Sequence, residues 1–524
     1  MESLSAYIPA DRRRALARGV DLPRRTSGAA LFADISGFTP LTEALVLALG
    51  PQRGAEELPR QLNLIYDALI AEVDRYGGSV ISFSGDAITC WFDDHEVGAA
   101  EAPPQPAVLR AAACALAMQQ TMRQFASVSI PGAGSVALAI KVAVAAGSAR
   151  RFVVGHPGIQ RVDVLAGSTL LRLAGAEHQA GKGEVLLDAA AATALAGLAE
   201  LGEWRVDPDD GERFALLGAL SSPAGLGPPS PPPVEPLSDA LARPWLLPPV
   251  YERLRSGQGE FLTELRPATA LFLRFGGIDY DTDERAQIKL DAFVQWVQRV
   301  LGRYGASLLQ LTIGDKGSYL YAAFGAPVAH EDDAVRAIRA ALELRQPPQA
   351  FISSVQIGVS QGRMRTGAYG GSTRRTYGAL GDEVNMAARL MQHAPPGQAI
   401  VSLGARKATG DIFAWEALPP LQVKGKAQPV TAFRLAGMQE RRAIRLHEPR
   451  YVRPMVGRRA ELSLIERALD EALQGRGQIV AITAEAGMGK SRLIAEVIAM
   501  ALRRRVVGFG GECMSFGTNT GYLV

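Results

Sequence analysis

The chain has 524 residues, 48% of them apolar and 21% charged, with a net charge of +3. That length exceeds what one hydrophobic core holds, so several domains are expected, and the near-neutral charge excludes a surface built to coat nucleic acid. No run of about 18 apolar residues occurs, so no membrane-spanning helix is expected.

Residues 1–27 read as a short helix and a connector, with Arg12–Arg14 on a solvated helix face. Residues 28–220 read as an α/β domain. Its first strand, AALFADI, is a buried apolar run, and the turn at Gly37 leads into a long helix. GSVISFSGDAITCWF reads as a hairpin around Ser84-Gly85-Asp86, Leu109–Met122 as an Ala-rich helix, and VALAIKVAVAAG as a strand. Residues 221–265 contain GPPSPPPVEP, where repeated prolines withhold backbone donors, and read as a linker. Residues 266–437 repeat the first plan: ALFLRFGG at Ala270–Gly277 answers ALFADISG at Ala30–Gly37. A hairpin over Leu308–Phe324, a helix over Glu331–Leu344, a strand and a further helix follow. Two equal α/β plans imply a pseudo-twofold pair within one chain, with a site at the seam. After a connector, 438–455, residues 456–524 read as the start of a nucleotide-binding domain, with the strand QIVAITA, a Gly-rich turn and a helix. At this length it reads as cut short, so a longer protein with a C-terminal regulatory region is expected. Arg503–Arg505 reads as another solvated face. Cys90, Cys114 and Cys513 are too sparse for a disulfide frame and fit a reducing, cytoplasmic setting. The six histidines lack zinc-ligand spacing.

The two copies differ where chemistry needs them to. Asp34 ends the first strand and Asp86 sits at the hairpin tip, two hard oxygen donors of the kind Mg²⁺ or Mn²⁺ prefers. The Ile35-Ser36-Gly37-Phe38 turn opens a helix whose free N–H groups suit a triphosphate. The second copy has Arg274 in place of Asp34. It carries instead Asn385 and Arg389 in LGDEVNMAARL, four apart and so on one helix face. A guanidinium there offers fixed donors to a phosphoryl oxygen. Near the C-terminus, Ala484 to Ser491 reads AEAGMGKS. This is a phosphate loop with Ala484 for the first glycine, Gly487 and Gly489 in the turn, Lys490 for the β/γ-phosphates and Ser491 for a cation.

ALFADISGFTPLTE followed by FSGDAITCWF resembles the first catalytic domain of class III nucleotidyl cyclases. The order cyclase domain, cyclase domain, P-loop unit resembles the soluble, bicarbonate-responsive adenylyl cyclases. The resemblance implies an α/β (α+β) fold: two ferredoxin-like class III cyclase domains as an intrachain pseudo-twofold heterodimer, followed by the start of a P-loop NTPase domain. It implies the conversion of ATP to 3′,5′-cyclic AMP and pyrophosphate at one composite site, with two divalent cations, Mg²⁺ or Mn²⁺, as cofactors. Asp34, Asp86 and the Ile35 carbonyl would be the metal ligands. Asn385 would orient the ribose and Arg389 would stabilise the α-phosphoryl group. Lys316 would contact the adenine ring, although alignment to the transmembrane cyclases moves that role to Leu311. Lys424, or less favourably Lys426, would reach the terminal phosphates. The second base-reading position is Gly378, which has no side chain to read with. The mirror pocket would be degenerate, with Arg274 unable to bind metal and Ser82 where relatives place a bicarbonate-holding lysine. Arg172 matches the relatives' anion-binding arginine and Asp163 lies near the counterpart of Gly378, so a small anion or nucleotide is the effector expected there. Two rivals remain: a guanylyl cyclase, which Gly378 leaves room for and Lys316 argues against, and a non-catalytic nucleotide-sensing module.

Overall fold

The computed structural model describes residues 3–94, 106–130, 134–208, 210–221, 237–258, 264–314, 317–410, 412–423, 428–439, 455–484, 488–504 and 506. Lys316, Lys424, Lys426 and Gly487 lie outside them. The chain divides into two compact units, Met1–Gly437 and Met438–Val524.

In the first unit a 3₁₀ turn (Leu4–Tyr7) and helix α1 (Ala10–Ala17) lead into the first repeat. Its elements are β1 (Arg25–Ser36), α2 (Phe38–Arg75), β2 (Ser79–Ser84), β3 (Ala87–Asp93), α3 (Ala107–Met122) and a small hairpin, β4 (Val128–Ile130) and β5 (Gly134–Val136). Then come β6 (Ala139–Val154), β7 (Val162–Ala166), α4 (Ser168–Gln179), β8 (Val185–Asp188), α5 (Ala189–Ala194), β9 (Ala199–Val206) and β10 (Arg213–Leu220). The sheet order is β2-β3-β1-β6-β8-β10-β9, with β7 also paired to β6. β1 alternates: Ala29, Leu31, Ala33 and Ile35 share one buried face, packed with Leu62, Tyr66 and Leu69 of α2 and Ala111 and Ala115 of α3. Asp34 therefore falls on the other face, at the end of the strand.

Two short helices, α6 (Asp239–Ala242) and α7 (Pro248–Arg255), precede the second repeat. It comprises β11 (Glu264–Gly276), α8 (Ala286–Arg303), β12 (Ser307–Gly314), β13 (Gly317–Phe324), α9 (Asp333–Leu344), β14 (Ser354–Gly370), β15 (Arg375–Leu380), α10 (Asp382–His393), β16 (Gln398–Ser402), α11 (Leu403–Ala408), β17 (Phe413–Ala417) and β18 (Ala432–Met438). Its sheet, β12-β13-β11-β14-β16-β18-β17 with β15 on β14, has the same order as the first. Register fixes the equivalences. Asp34 pairs with Lys141 and Ala87, while Arg274 pairs with Gln356 and Tyr319. Counting back one residue along each hairpin makes Ser318 the counterpart of Asp86.

Two sequence expectations are revised. The stretch read wholly as linker buries Trp245, Leu246, Leu247, Val250 and Tyr251 together with Ile8, Ala323 and Tyr377, so part of it is core. A few apolar residues suffice to dock a short helix even beside a proline-rich run. The Arg12–Arg14 face is not wholly solvated either, since Arg12 and Arg13 are only 4% and 7% exposed. Arg12 pairs with Asp163 at 2.8 Å and lies 5.7 Å over the Trp245 ring, and Arg13 Nη1 donates to the Thr373 carbonyl at 3.4 Å. Partners 150 or more residues away, invisible to local charge patterning, hold these cations.

In the second unit, α12 (Arg459–Leu473) and α13 (Lys490–Arg503) flank the QIVAITA stretch. That stretch is not a strand. Ile479 and Val480 are exposed, and among the described residues no neighbouring strand offers ladder hydrogen bonds.

Candidate active site

Asp34 and Asp86 come together as the sequence implied. β1 and β3 pair with Asp34 opposite Ala87, and the Ile35 N–H donates to the Asp86 carbonyl at 3.2 Å. The hairpin tip is thereby tied to the strand end. Ile35 buries its side chain in the core and anchors this edge. Burial, then the neighbouring Asp34 charge, pushes the Asp86 carboxyl up to about 7. Two carboxylates that cannot comfortably ionise together form a donor set that a divalent cation would relieve. Among the described residues no group of three or more His, Cys, Asp or Glu is arranged to hold a metal, so the carboxylate set on this edge is the pair Asp34 and Asp86.

Ser36 ends β1, and Gly37 adopts φ +97°, with a hypothetical Cβ only 2.6 Å from the Ala137 carbonyl. No other residue fits that turn. Phe38 begins α2 directly after it, four residues beyond Asp34.

Lys141 is a site residue the sequence reading missed. Directly across from Asp34 on β6, its ammonium lies 3.5 Å from that carboxylate and also pairs with Glu177. Burial alone would lower its pKa, but Glu177 and Asp34 outweigh burial and raise it. The signal was available: Lys141 is the single charge within the apolar run VALAIKVAVAAG. Tyr66 is the second such residue. Its hydroxyl donates to the Gly85 carbonyl at 2.7 Å, joining α2 to the turn that carries Asp86.

The second repeat supplies the remaining groups. On α10, Met386, Ala387, Leu390 and Met391 face inward, leaving Asn385 exposed and Arg389 half-buried on the free side. Gly378 is buried, and a Cβ there would come within 2.8 Å of the Tyr369 ring. Tyr369 crosses the seam, its ring centroid 6.3 Å from Tyr66 and 5.7 Å from Phe83. An aromatic face thus fills the place of the missing side chain. Leu311, the alternative base-reading position, is buried in the second core. Its neighbour Gln310 faces the seam instead, donating to Ser84 Oγ at 2.9 Å and Thr312 Oγ1 at 2.7 Å. The β-bulge between Leu308 and Gln310 shifts the alternation, which no local pattern announces.

The residues assigned to the mirror pocket are engaged structurally. Asp163 is buried between Arg151 (2.7 Å) and Arg12. Arg172 bridges Asp188 (2.8 Å) and the Ala146 carbonyl (2.8 Å). Arg274 lies along the hairpin, its Nε 3.0 Å from where a Cβ of Gly317 would be. Ser82 is half-buried on β2. The Ser168 N–H and hydroxyl close the start of α4 onto Asp281 at 3.1 and 3.3 Å. The equivalent start of α10, at Gly381 and Asp382, is exposed. In the second unit, Gly489 (φ +85°) opens α13, Lys490 Nζ donates to the Ala484 carbonyl at 2.5 Å, and Ser491 is exposed.

Residues 294–437 match the adenylate and guanylate cyclase catalytic domain family, and residues 454–524 match the AAA ATPase domain family. The chain is similar to adenylate cyclase type 10 of Homo sapiens, 22% identical over 532 residues that cover 93% of this chain and 32% of that protein. It therefore spans about a third of the length of the curated relatives it matches. Among solved structures, the adenylyl cyclase CyaB from P. aeruginosa is 20% identical, with a TM-score of 0.31 over 34% of this chain and 97% of its own. The guanylyl cyclase Cya2 is 24% identical, with a TM-score of 0.31 over 34% and 96%.

Proposed function

We propose that the first unit, whose residues 294–437 match the adenylate and guanylate cyclase catalytic domain family, converts ATP to 3′,5′-cyclic AMP and pyrophosphate at one composite site. The observation that carries this reading is the division of groups between two repeats of the same sheet order. The carboxylate pair Asp34/Asp86 lies in one and the Asn385/Arg389 helix face in the other.

Asp34 and Asp86 would hold the divalent cations, Mg²⁺ or Mn²⁺, with the Ile35 carbonyl as a further donor. When bound, such ions supply positive charge to the phosphates and acidify the sugar's 3′-hydroxyl. The protein's own groups do the rest. The attacking hydroxyl belongs to the substrate, so no protein nucleophile is needed. The Gly37 turn and the first N–H groups of α2 offer donors to the triphosphate. Lys141, already beside Asp34, adds a cation on the same edge. Arg389 would neutralise charge developing on the α-phosphoryl oxygens, and Asn385 would orient the ribose. The Tyr369 ring beside Gly378 offers a flat wall for the base. Lys316 and Lys424 are the further candidates for base and phosphate contacts. The AAA-type unit, with Lys490 and Ser491, would bind nucleotide in a regulatory role.

Incubation with ATP or GTP and Mn²⁺, with detection of cyclic product, tests the reading. Cyclic AMP from wild type and none from Asp34→Ala is the expected outcome. Preference for GTP would reassign the substrate, and no cyclic product from either nucleotide would overturn the enzymatic reading.

A further inference from the structure

The two repeats dock on each other through a matched pair of turns, and the turns end differently. In the second repeat the β14–β15 turn reaches α2 of the first, where the Gly370 N–H donates to Asn63 Oδ1 at 3.0 Å. In the first repeat the β6–β7 turn reaches α8 of the second, where the Gly155 N–H donates to Asp291 Oδ1 at 2.8 Å. Each turn doubles back tightly. A Cβ on Gly370 would meet the Arg374 carbonyl at 2.6 Å, and one on Gly155 would meet the Gln160 carbonyl at 2.4 Å. Gln160 thus stands where Arg374 stands.

Arg374 fills its slot. It is 8% exposed, donates to the carbonyls of Val80 (3.0 Å) and Ile81 (3.1 Å), and lies 5.3 Å over the Phe83 ring. The walls of this slot recur on the other seam. Arg75-Tyr76-Gly77-Gly78-Ser79-Val80 is answered by Arg303-Tyr304-Gly305-Ala306-Ser307-Leu308, and Ile8-Pro9 before α1 by Leu247-Pro248 at α7. There the slot is open. A cleft of about 290 Å³ remains, lined among others by Gln160, Leu247, Gln298, Leu301, Leu308 and His330. Gln160 Oε1 is buried without a hydrogen-bond partner.

We propose that this cleft is a binding site for a small, flat, neutral molecule that presents an N–H donor to Gln160, an aromatic amide being the model chemistry. Size follows from the volume, at the small end of the ~300–1,000 Å³ typical of ligand sites. The donor follows from the unpartnered acceptor. Neutrality follows from the walls. Arg374 is accompanied by the charges of Asp163 and of Asp11 on α1, and Thr373 of its turn donates to Asp74 at 2.6 Å. The residues that correspond to Asp163, Asp11 and Asp74 on the open side are Tyr377, Val250 and Gly302. A cation there would lack the carboxylates that accompany Arg374. The occupant would join the β6–β7 turn to β12 as Arg374 joins its own turn to β2. This site is separate from the composite catalytic site, and the inference does not depend on turnover.

Benzamide and benzamidinium, matched in shape and differing in charge, are suitable probes for the full chain, read by saturation-transfer NMR and thermal unfolding. Benzamide should bind saturably with a Kd of about 1 mM, as suits nine non-hydrogen atoms, and raise the unfolding temperature. Benzamidinium should bind at least about tenfold more weakly. Gln160→Leu removes the acceptor without adding a charge and should abolish benzamide binding. Gly302→Leu narrows the cleft without touching Gln160 and should do the same. Absence of saturable benzamide binding overturns the proposal, as do equal binding of the two probes and binding that survives both substitutions.

Discussion

The β1–β3 edge of the first repeat and the β11–β13 edge of the second share fold, register and glycine turn, yet among the described residues only the first carries a carboxylate pair. Gly37 (φ +97°) and Gly277 (φ +104°) turn alike. Before them stand Asp34 and Arg274, and across the hairpins stand Asp86 and Ser318. Duplication preserved the geometry that backbone hydrogen bonding dictates and released the side chains that do not affect packing. On the proposed reading a pseudo-twofold pair can carry one working site, because each site would draw on both halves and losing one group would silence only the site to which that group belongs.

The strongest way to break this comparison is to equalise the edges. Asp34→Ala or Asp86→Ala should reduce cyclic nucleotide formation to background with the fold intact by circular dichroism, while Arg274→Ala should leave it within about twofold, as for a substitution that removes no transition-state contact. Loss of activity in Arg274→Ala would mean that the mirror edge is not silent. Arg389→Ala should lower kcat by about 10²–10³ with KM little changed, the signature of a group acting on developing charge. A raised KM at constant kcat would make it a ground-state contact instead.

The seam turns give the next contrast. Arg374→Ala strips donors from the buried Val80 and Ile81 carbonyls and should cost about 2–3 kcal/mol in denaturant unfolding. Gln160→Ala removes a side chain that already lacks a partner and should cost under about 1 kcal/mol. Asp86 then gives a pH test. Its folded-state pKa, about 7, lies above the ordinary 3.8, so the folded protein holds the proton more tightly. The associated stability is fully present below pH 3.8 and is lost as pH rises towards and through 7. With EDTA, thermal unfolding should therefore occur at lower temperature at pH 8 than at pH 5. Asp86→Asn should flatten that slope, and an unchanged slope would assign it elsewhere. Tyr66→Phe, which removes only the bond to the Gly85 carbonyl, should cost about 1 kcal/mol, read by the same unfolding curves.

Much of the site was legible because its signals are local. Alternation placed Asp34 at the end of a buried strand, a Gly-containing turn put Asp86 at a hairpin tip, and a spacing of four put Asn385 and Arg389 on one helix face. Lys141 was legible in principle, as a lone charge in an apolar strand. Gln310 and Leu311 were not, because one bulged residue exchanges which of the two faces the seam. Nor was the burial of Arg12, whose partner Asp163 lies 151 residues away.

The sequence by itself determined the duplication, the order of elements, the two carboxylates and the loss of one of them in the second copy. These depend on period, turn chemistry and residue type, which act over a few neighbours. Only the tertiary structure decided that Tyr369 fills the space beside Gly378, that Arg374 fills one seam slot while Gln160 leaves the other open, and that Asp163 and Arg172 are held in structural ion pairs. Those outcomes depend on which distant groups share a volume from which water is excluded, and only the packing of one repeat against the other fixes that.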